Sequence, residues 1–183
     1  SSDLSTRRRP GTSRRRSTDC DFAGKPRGNG SIAVDLARQG RRVCCRMQRE
    51  DCKYTPFYCE ENVWHLAQEI PGRASQVVLI SNPAKEVLMF RQRGFREVAV
   101  WDYHVILAVD GVVYDLDTSL SFPCPVTTYL ARSFAADAPA RHAPWFRVVA
   151  ASRFVAEFAS DRRHMRDAAG GFEREEPDPS IPE

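Results

Sequence analysis

The sequence predicts an α/β domain in which an amphipathic helix precedes a mostly antiparallel sheet. Three observations carry this. Apolar residues recur at Cys59, Val63, Leu66, Ala67 and Ile70, spacings that keep them on one helical face. Short runs rich in β-branched residues follow, separated by turn residues. Asp110-Gly111 then joins two such runs as a two-residue hairpin, and short turns between successive strands favour antiparallel pairing.

Taken in order, residues 1–30 are dense in Arg, Ser, Gly, Pro and Thr. The runs Arg7-Arg8-Arg9 and Arg14-Arg15-Arg16 repel one another and bury nothing, which reads as disorder. Residues 31–50 hold a weak helical pattern around Ile32 and Leu36 and read as helix or as more leader. The division is therefore an Arg-rich leader over 1–53 and a domain over 54–183. Glu60 and Glu61 occupy the first turn of the predicted helix, where its dipole favours negative charge, and Pro71-Gly72 ends it. Residues 77–80 read as a buried strand, 87–90 as a second, and 98–109 as one β-rich segment leading into the hairpin. If Asp110-Gly111 is a two-residue turn, paired residue numbers sum to 221, so His104 faces Asp117 and Ile106 faces Asp115. Phe122-Pro123-Cys124-Pro125 breaks regular structure. Residues 127–134 read as a short helix, 145–150 as a strand and 152–158 as a turn or short helix. From Glu173 the chain is an acidic, Pro-rich, irregular tail.

The chain has 183 residues, 42% hydrophobic and 28% charged, the composition of one globular domain. No apolar run approaches the roughly 18 residues that cross a bilayer, and no apolar segment follows the basic N-terminus as in a secretory signal. A cytosolic or nuclear monomer is expected. The net charge of +3 is uneven: residues 1–50 carry 13 Lys and Arg against 5 Asp and Glu, so the remainder is acidic. A basic leader of this kind binds nucleic acid or serves as a localisation signal in some proteins, but it lacks the interleaved aromatics that stack on bases, and nucleic acid is not the expected partner.

Six cysteines occur, Cys20, Cys44, Cys45, Cys52, Cys59 and Cys124. With no secretory signal they are expected as thiols. There is no Cys-x-x-Cys pair and no zinc-finger spacing, so no metal is expected. Cys59 stands out because it opens the predicted helix. Unpaired N–H groups and the dipole there lower a thiol pKa and can receive an oxyanion, while Glu60 and Glu61 oppose thiolate formation. His104 is the best base, an imidazole in an otherwise apolar strand. His65, His142 and His164 lie on the helix, in a Pro/Ala-rich loop and in a charged stretch. Side-chain alternation puts His104, Asp115 and Asp117 on one face, so either aspartate can orient the imidazole.

These same residues lie in motifs that resemble one family. Tyr58-Cys59-Glu60-Glu61-Asn62-Val63-Trp64, Ile80-Ser81-Asn82 and Trp101-Asp102-Tyr103-His104-Val105 come first. Tyr114-Asp115-Leu116-Asp117-Thr118, Phe122-Pro123-Cys124 and Phe158-Ala159-Ser160-Asp161-Arg162-Arg163-His164-Met165 follow in the same order, covering about residues 54 to 182. The chain resembles the protein N-terminal glutamine amidohydrolases, small eukaryotic enzymes of the N-degron pathway. The resemblance implies a papain/transglutaminase-like α/β fold. It places the nucleophile on Cys59, the base on His104 and the orienting acid on Asp115, and needs no metal or organic cofactor. It also implies a further segment with a Gly-Trp-Gly-like motif beyond the Pro-rich stretch, so the chain is expected to be truncated at its C-terminus relative to the family. The Arg-rich leader has no counterpart there.

The expected reaction is hydrolysis of the side-chain amide of an N-terminal Gln, on a protein or peptide, through a thioester. Selectivity for a chain terminus requires an anion for the α-ammonium group, and Glu61, Asp102 and Asp117 are the candidates. The rival readings are a transglutaminase-like or papain-like cysteine enzyme acting on other amides, and a non-enzymatic module whose leader binds nucleic acid.

Overall fold

A computed structural model describes residues 47–70, 75–172 and 177–182. Residues 1–46, with Cys20, Cys44 and Cys45, and the Pro71-Gly72 stop lie outside the described residues, as does the Arg-rich part of the expected leader.

Helix α1, Cys59–Glu69, buries Cys59, Val63 and Leu66, the face its periodicity predicts. Each such aliphatic side chain taken fully from water contributes about 1.5–3 kcal/mol. Asn62 secures the approach to the helix: its Oδ1 accepts the Thr55 N–H at 2.8 Å and its Nδ2 donates to the Thr55 carbonyl at 2.9 Å. Phe57, two residues before Cys59, is held at φ 73. A non-glycine residue there stores about 1–3 kcal/mol and persists because its surroundings fix it.

Strands β1 (Gln76–Ser81), β4 (Tyr103–Val109), β5 (Val112–Tyr114), β6 (Cys124–Pro125) and β7 (Trp145–Ala150) form one sheet in the order β6-β5-β4-β1-β7. Every pairing in it is antiparallel. Helix α1 and helix α3 (Ala151–Glu157) cover one face, burying Val77, Val105, Leu107 and Val109. Helix α2 (Val126–Ser133) and a separate two-stranded sheet, β2 (Val87–Phe90) with β3 (Val98–Trp101), cover the other, burying Val78, Ile80, Ile106 and Ala108. The alternation of period two along β4 therefore feeds two cores.

The Asp110-Gly111 turn is as expected. Both residues have positive φ, 47 and 83, as a type I′ turn requires, and Leu107 pairs Tyr114 and Val109 pairs Val112 in the predicted register. Two expectations need correction. The segment 98–109 is not one strand: it breaks at Asp102, whose Oδ1 accepts the Tyr103 N–H while its carbonyl accepts the Ser81 hydroxyl, so β3 leaves to pair with β2. The ladder also does not reach His104–Asp117 or Ile106–Asp115, because β5 ends at Tyr114.

Two flanking segments pack on this body. Residues 49–51 form a 3-10 turn, and the Arg49 guanidinium donates to the carbonyls of Asp115, Leu116, Thr118 and Leu120. Within the expected irregular tail, Ile181 is buried and the Pro182 carbonyl accepts the Ser160 N–H.

Candidate active site

The site gathers where β5 departs from β4. Since β5 pairs only with Leu107–Val109, the first residues of β4 have no β5 partner, and the Val105 backbone N–H is taken by Cys59 Sγ. This contact seats the first residue of α1 one position along β4 from His104. The His104 ring is fully buried and stacks on Trp101 at 5.3 Å between centroids. Its Nε2 lies 3.1 Å from Asp115 Oδ1, and its Nδ1 has no hydrogen-bond partner.

Asp115 is tightly held. Its Oδ1 also accepts the Asp117 N–H at 2.9 Å, and its Oδ2 accepts the Tyr129 hydroxyl at 2.7 Å. Burial disfavours its charge, but the His104 imidazole and these donors outweigh burial and bring it below the usual carboxylate range. Asp117 shifts the opposite way: burial and the neighbouring Asp115 raise it, while Tyr54 donates to its Oδ1 at 2.7 Å. Of the two aspartates that the strand alternation leaves open, Asp115 is therefore the one that hydrogen-bonds the imidazole and has its carboxyl lowered by it. Burial lowers His104, but the Asp115 charge and hydrogen bond prevail and hold it above 6.5.

The Cys59 thiol departs from expectation. A helix N-terminus lowers a thiol pKa, but Cys59 is buried, and burial followed by the Glu60 and Asp117 charges holds it well above its ordinary value. The thiol donates to Glu60 Oε2 at 3.3 Å, and Tyr103 donates to Glu60 Oε1 at 2.8 Å.

The other expected residues sit elsewhere. Glu61 is buried against Arg162, with Nε to Oε1 at 2.8 Å, and accepts the Ser160 hydroxyl at 2.7 Å, so it ties α1 to the 160–162 segment. Asp102 serves the break between β3 and β4. His65 Nε2 lies 3.0 Å from Asp178 Oδ2, and His142 Nδ1 lies 3.0 Å from the Glu86 carbonyl. Cys52, Cys59 and Cys124 are free thiols, with burial raising Cys52 to about 11. His104, Asp115 and Asp117 each offer an atom within 4.8 Å of the others, a spacing at which they could ligate a cation; His104 Nε2 and Asp115 Oδ1 are hydrogen-bonded to each other, and Asp117 Oδ1 accepts the Tyr54 hydroxyl. A cavity of about 480 Å³ bounded by residues 90–97 and Ser119 includes none of Cys59, His104 and Asp115.

Sequence reading missed three contributors. Glu60 reads there as a repulsive neighbour of the thiol, although its place in the same motif was a usable signal. Tyr129 lies on a helix 14 residues past Asp115 with no local pattern pointing back. Arg49 is hidden among many arginines.

Comparison with known proteins identifies the family. The family model described as N-terminal glutamine amidase matches residues 54–182. A protein N-terminal glutamine amidohydrolase of Drosophila mojavensis is 40% identical over 148 residues, which cover 72% of this chain and 71% of the relative. Relatives of that name in Danio rerio and Drosophila ananassae are each 39% identical with the same coverage. The motifs, the order in which they fold together and the extent of these matches have one meaning: the chain belongs to the N-terminal glutamine amidase family.

Proposed function

We propose that this chain hydrolyses the side-chain amide of an N-terminal glutamine on proteins or peptides, giving N-terminal glutamate and ammonia, with Cys59, His104 and Asp115 as its catalytic triad. The observation that carries the reading is the buried His104 Nδ1. It has no partner, while Nε2 is committed to Asp115 and the next residue, Val105, holds the Cys59 sulfur. A buried ring nitrogen without a partner is costly, and a thiol proton is what it lacks.

In this mechanism Asp115 fixes the tautomer with the proton on Nε2, so Nδ1 is the base. Nδ1 takes the Cys59 proton as Sγ attacks the amide carbon of the glutamine side chain. The Cys59 backbone N–H, at the start of α1, receives the oxyanion. The imidazolium then protonates the departing ammonia, leaving a thioester. Water, deprotonated by His104, hydrolyses the thioester, and the thiol regains its proton. Nucleophile on a helix tip, base on a strand and acid beyond the next strand is papain/transglutaminase-like logic, and that fold assignment belongs to this proposal. Of the three carboxylates expected to read the α-ammonium group, Glu61 and Asp102 are committed to structural partners, whereas the Asp117 charge acts on both Cys59 and His104.

The test is mass spectrometry of a Gln-initiated peptide incubated with the wild-type chain and with Cys59→Ala. A gain of about one dalton is expected with the wild type alone. The same gain with the variant refutes Cys59 as nucleophile. Equal turnover of an N-acetylated peptide, or transfer to an added amine in preference to water, refutes the terminal amidohydrolase reading.

A further inference from the structure

The described acidic residues of the interior each have a distinct arrangement, and Glu60 is the exception. Glu61 has Arg162, Asp115 has His104, and Asp117 accepts the Tyr54 hydroxyl under the charge of Arg93. The Glu60 carboxylate is held between the Tyr103 hydroxyl and the Cys59 thiol, and among the described residues no Lys, Arg or His forms an ion pair with it. A half-buried carboxylate with no cation in contact is unfavourable, and its partial burial raises its proton affinity. No cation stands in contact with the group, although its charge reaches His104, and it lies beside the attacking atom.

We propose that Glu60 binds the α-ammonium group of the substrate's first residue, and that this pairing frees the Cys59 thiol to pass its proton to His104. The inference rests on the amidohydrolase reading above and deepens it by assigning the residue that selects a free terminus.

The distances allow it. Four bonds separate the α-nitrogen of glutamine from its side-chain amide carbon, a span of roughly 4–5 Å when extended. An attacked carbon stands about 3–3.5 Å from the nucleophile before reaction. Glu60 Oε2, 3.3 Å from Sγ, is within that reach, and Tyr103 fixes the carboxylate through its other oxygen. The electrostatics give selectivity a second route. After burial, the Glu60 carboxylate is the strongest influence keeping the thiol protonated. An ammonium on Glu60 cancels that charge at the moment the substrate amide reaches the sulfur. A substrate with a blocked terminus leaves the repulsion in place, so it loses both binding and nucleophile activation. The titratable groups whose charge or hydrogen bond reaches the thiol are Glu60 on α1, Asp117 beyond β5 and Tyr103 on β4, with His104 next to Val105 on that strand, and of the two carboxylates Glu60 is the one hydrogen-bonded to it.

The test compares wild type, Glu60→Gln and Glu60→Asp on a Gln-initiated peptide and on its N-acetylated form, with ammonia release as the readout. Alkylation of Cys59 by iodoacetamide is followed against pH in parallel. Glu60→Gln is expected to lower kcat/KM on the free-terminus peptide about 100-fold, the scale for removing one partner of a desolvated charge pair. The discrimination between free and acetylated peptide is expected to shrink, an unchanged urea midpoint reports a folded chain, and the alkylation profile is expected to move to lower pH. Glu60→Asp is expected to keep part of the selectivity. Parallel loss on both peptides, unchanged selectivity, or an alkylation profile that does not move overturns the inference. Absence of ammonia release by the wild type refutes the amidohydrolase reading instead, and the alkylation profile still decides whether Glu60 restrains the thiol.

Discussion

Replacing Arg49 by Ala perturbs the site without touching a reacting atom. Its Nη1 donates to the carbonyls of Leu116 at 2.9 Å, Asp115 at 3.2 Å and Thr118 at 2.5 Å, and its Nη2 donates to Leu120 at 2.9 Å. Its guanidinium also lies 5.0 Å from the centre of the Phe122 ring. A hydrogen bond to a charged group contributes about 1.5–3 kcal/mol. Nη1 shares two protons among three acceptors and the side chain is half-exposed, so the set is worth about 3 kcal/mol in all rather than the sum over four. The loss falls on the turn that sets the Asp115 carboxylate against His104. Arg49→Ala is therefore expected to lower unfolding stability by about 3 kcal/mol in a urea titration with unchanged slope. It is also expected to lower kcat more than KM on a Gln-initiated peptide. Arg49→Lys is expected to recover only part, since one ammonium cannot span carbonyls that a planar fork reaches. Stability within about 0.5 kcal/mol of the parent, together with unchanged kcat, refutes the reasoning, because that is the range of a surface substitution.

Further outcomes follow from the same structure. Asp115→Asn loses the acceptor that orients His104 and is expected to cut kcat about 10³–10⁴-fold with KM little changed in steady-state assays; a loss below tenfold contradicts the triad. The acid limb of kcat/KM, measured from pH 5 to 9, is expected above 6.5, because Asp115 holds the imidazole above its ordinary value despite burial and only the free base accepts the thiol proton. The stability carried by this pair has the matching signs: the His104 part is full below 6.5 and is lost as pH rises through its raised folded value, and the Asp115 part is full above 3.8 and is lost as pH falls through its lowered one. Arg162→Ala strands the buried Glu61 carboxylate and is expected to destabilise by about 3–5 kcal/mol in urea, whereas a joint Glu61→Gln, Arg162→Met change is expected to be milder; equal effects contradict the pairing.

Features that depend on a few neighbouring residues were legible in the amino-acid order. The apolar stripe from Cys59 to Ile70 marks its helix, because a 3.6-residue period must bury one face. Asp110-Gly111 fixes its hairpin and register, because few residues accept two positive φ angles in succession. The motifs around Cys59, His104 and Asp115 marked the proposed triad, of which the fold sets His104 against Asp115 and Cys59 against Val105, the neighbour of His104. Their partners were set by the packing of distant segments. The choice of Asp115 as the imidazole's contact follows from β5 ending at Tyr114, which releases the next residues from the ladder and lets Asp115 turn to His104 while Tyr129 and Arg49 hold the turn. The direction of the thiol's shift was set likewise by packing, since the desolvation of Cys59 and the fixing of Glu60 beside it by Tyr103 outweigh a helix dipole that the sequence shows and the fold overrides. Arg49 and Asp115 are 66 residues apart, and Tyr103 and Glu60 are 43 apart. Charge and burial act through space between residues so separated, and no local pattern encodes that distance.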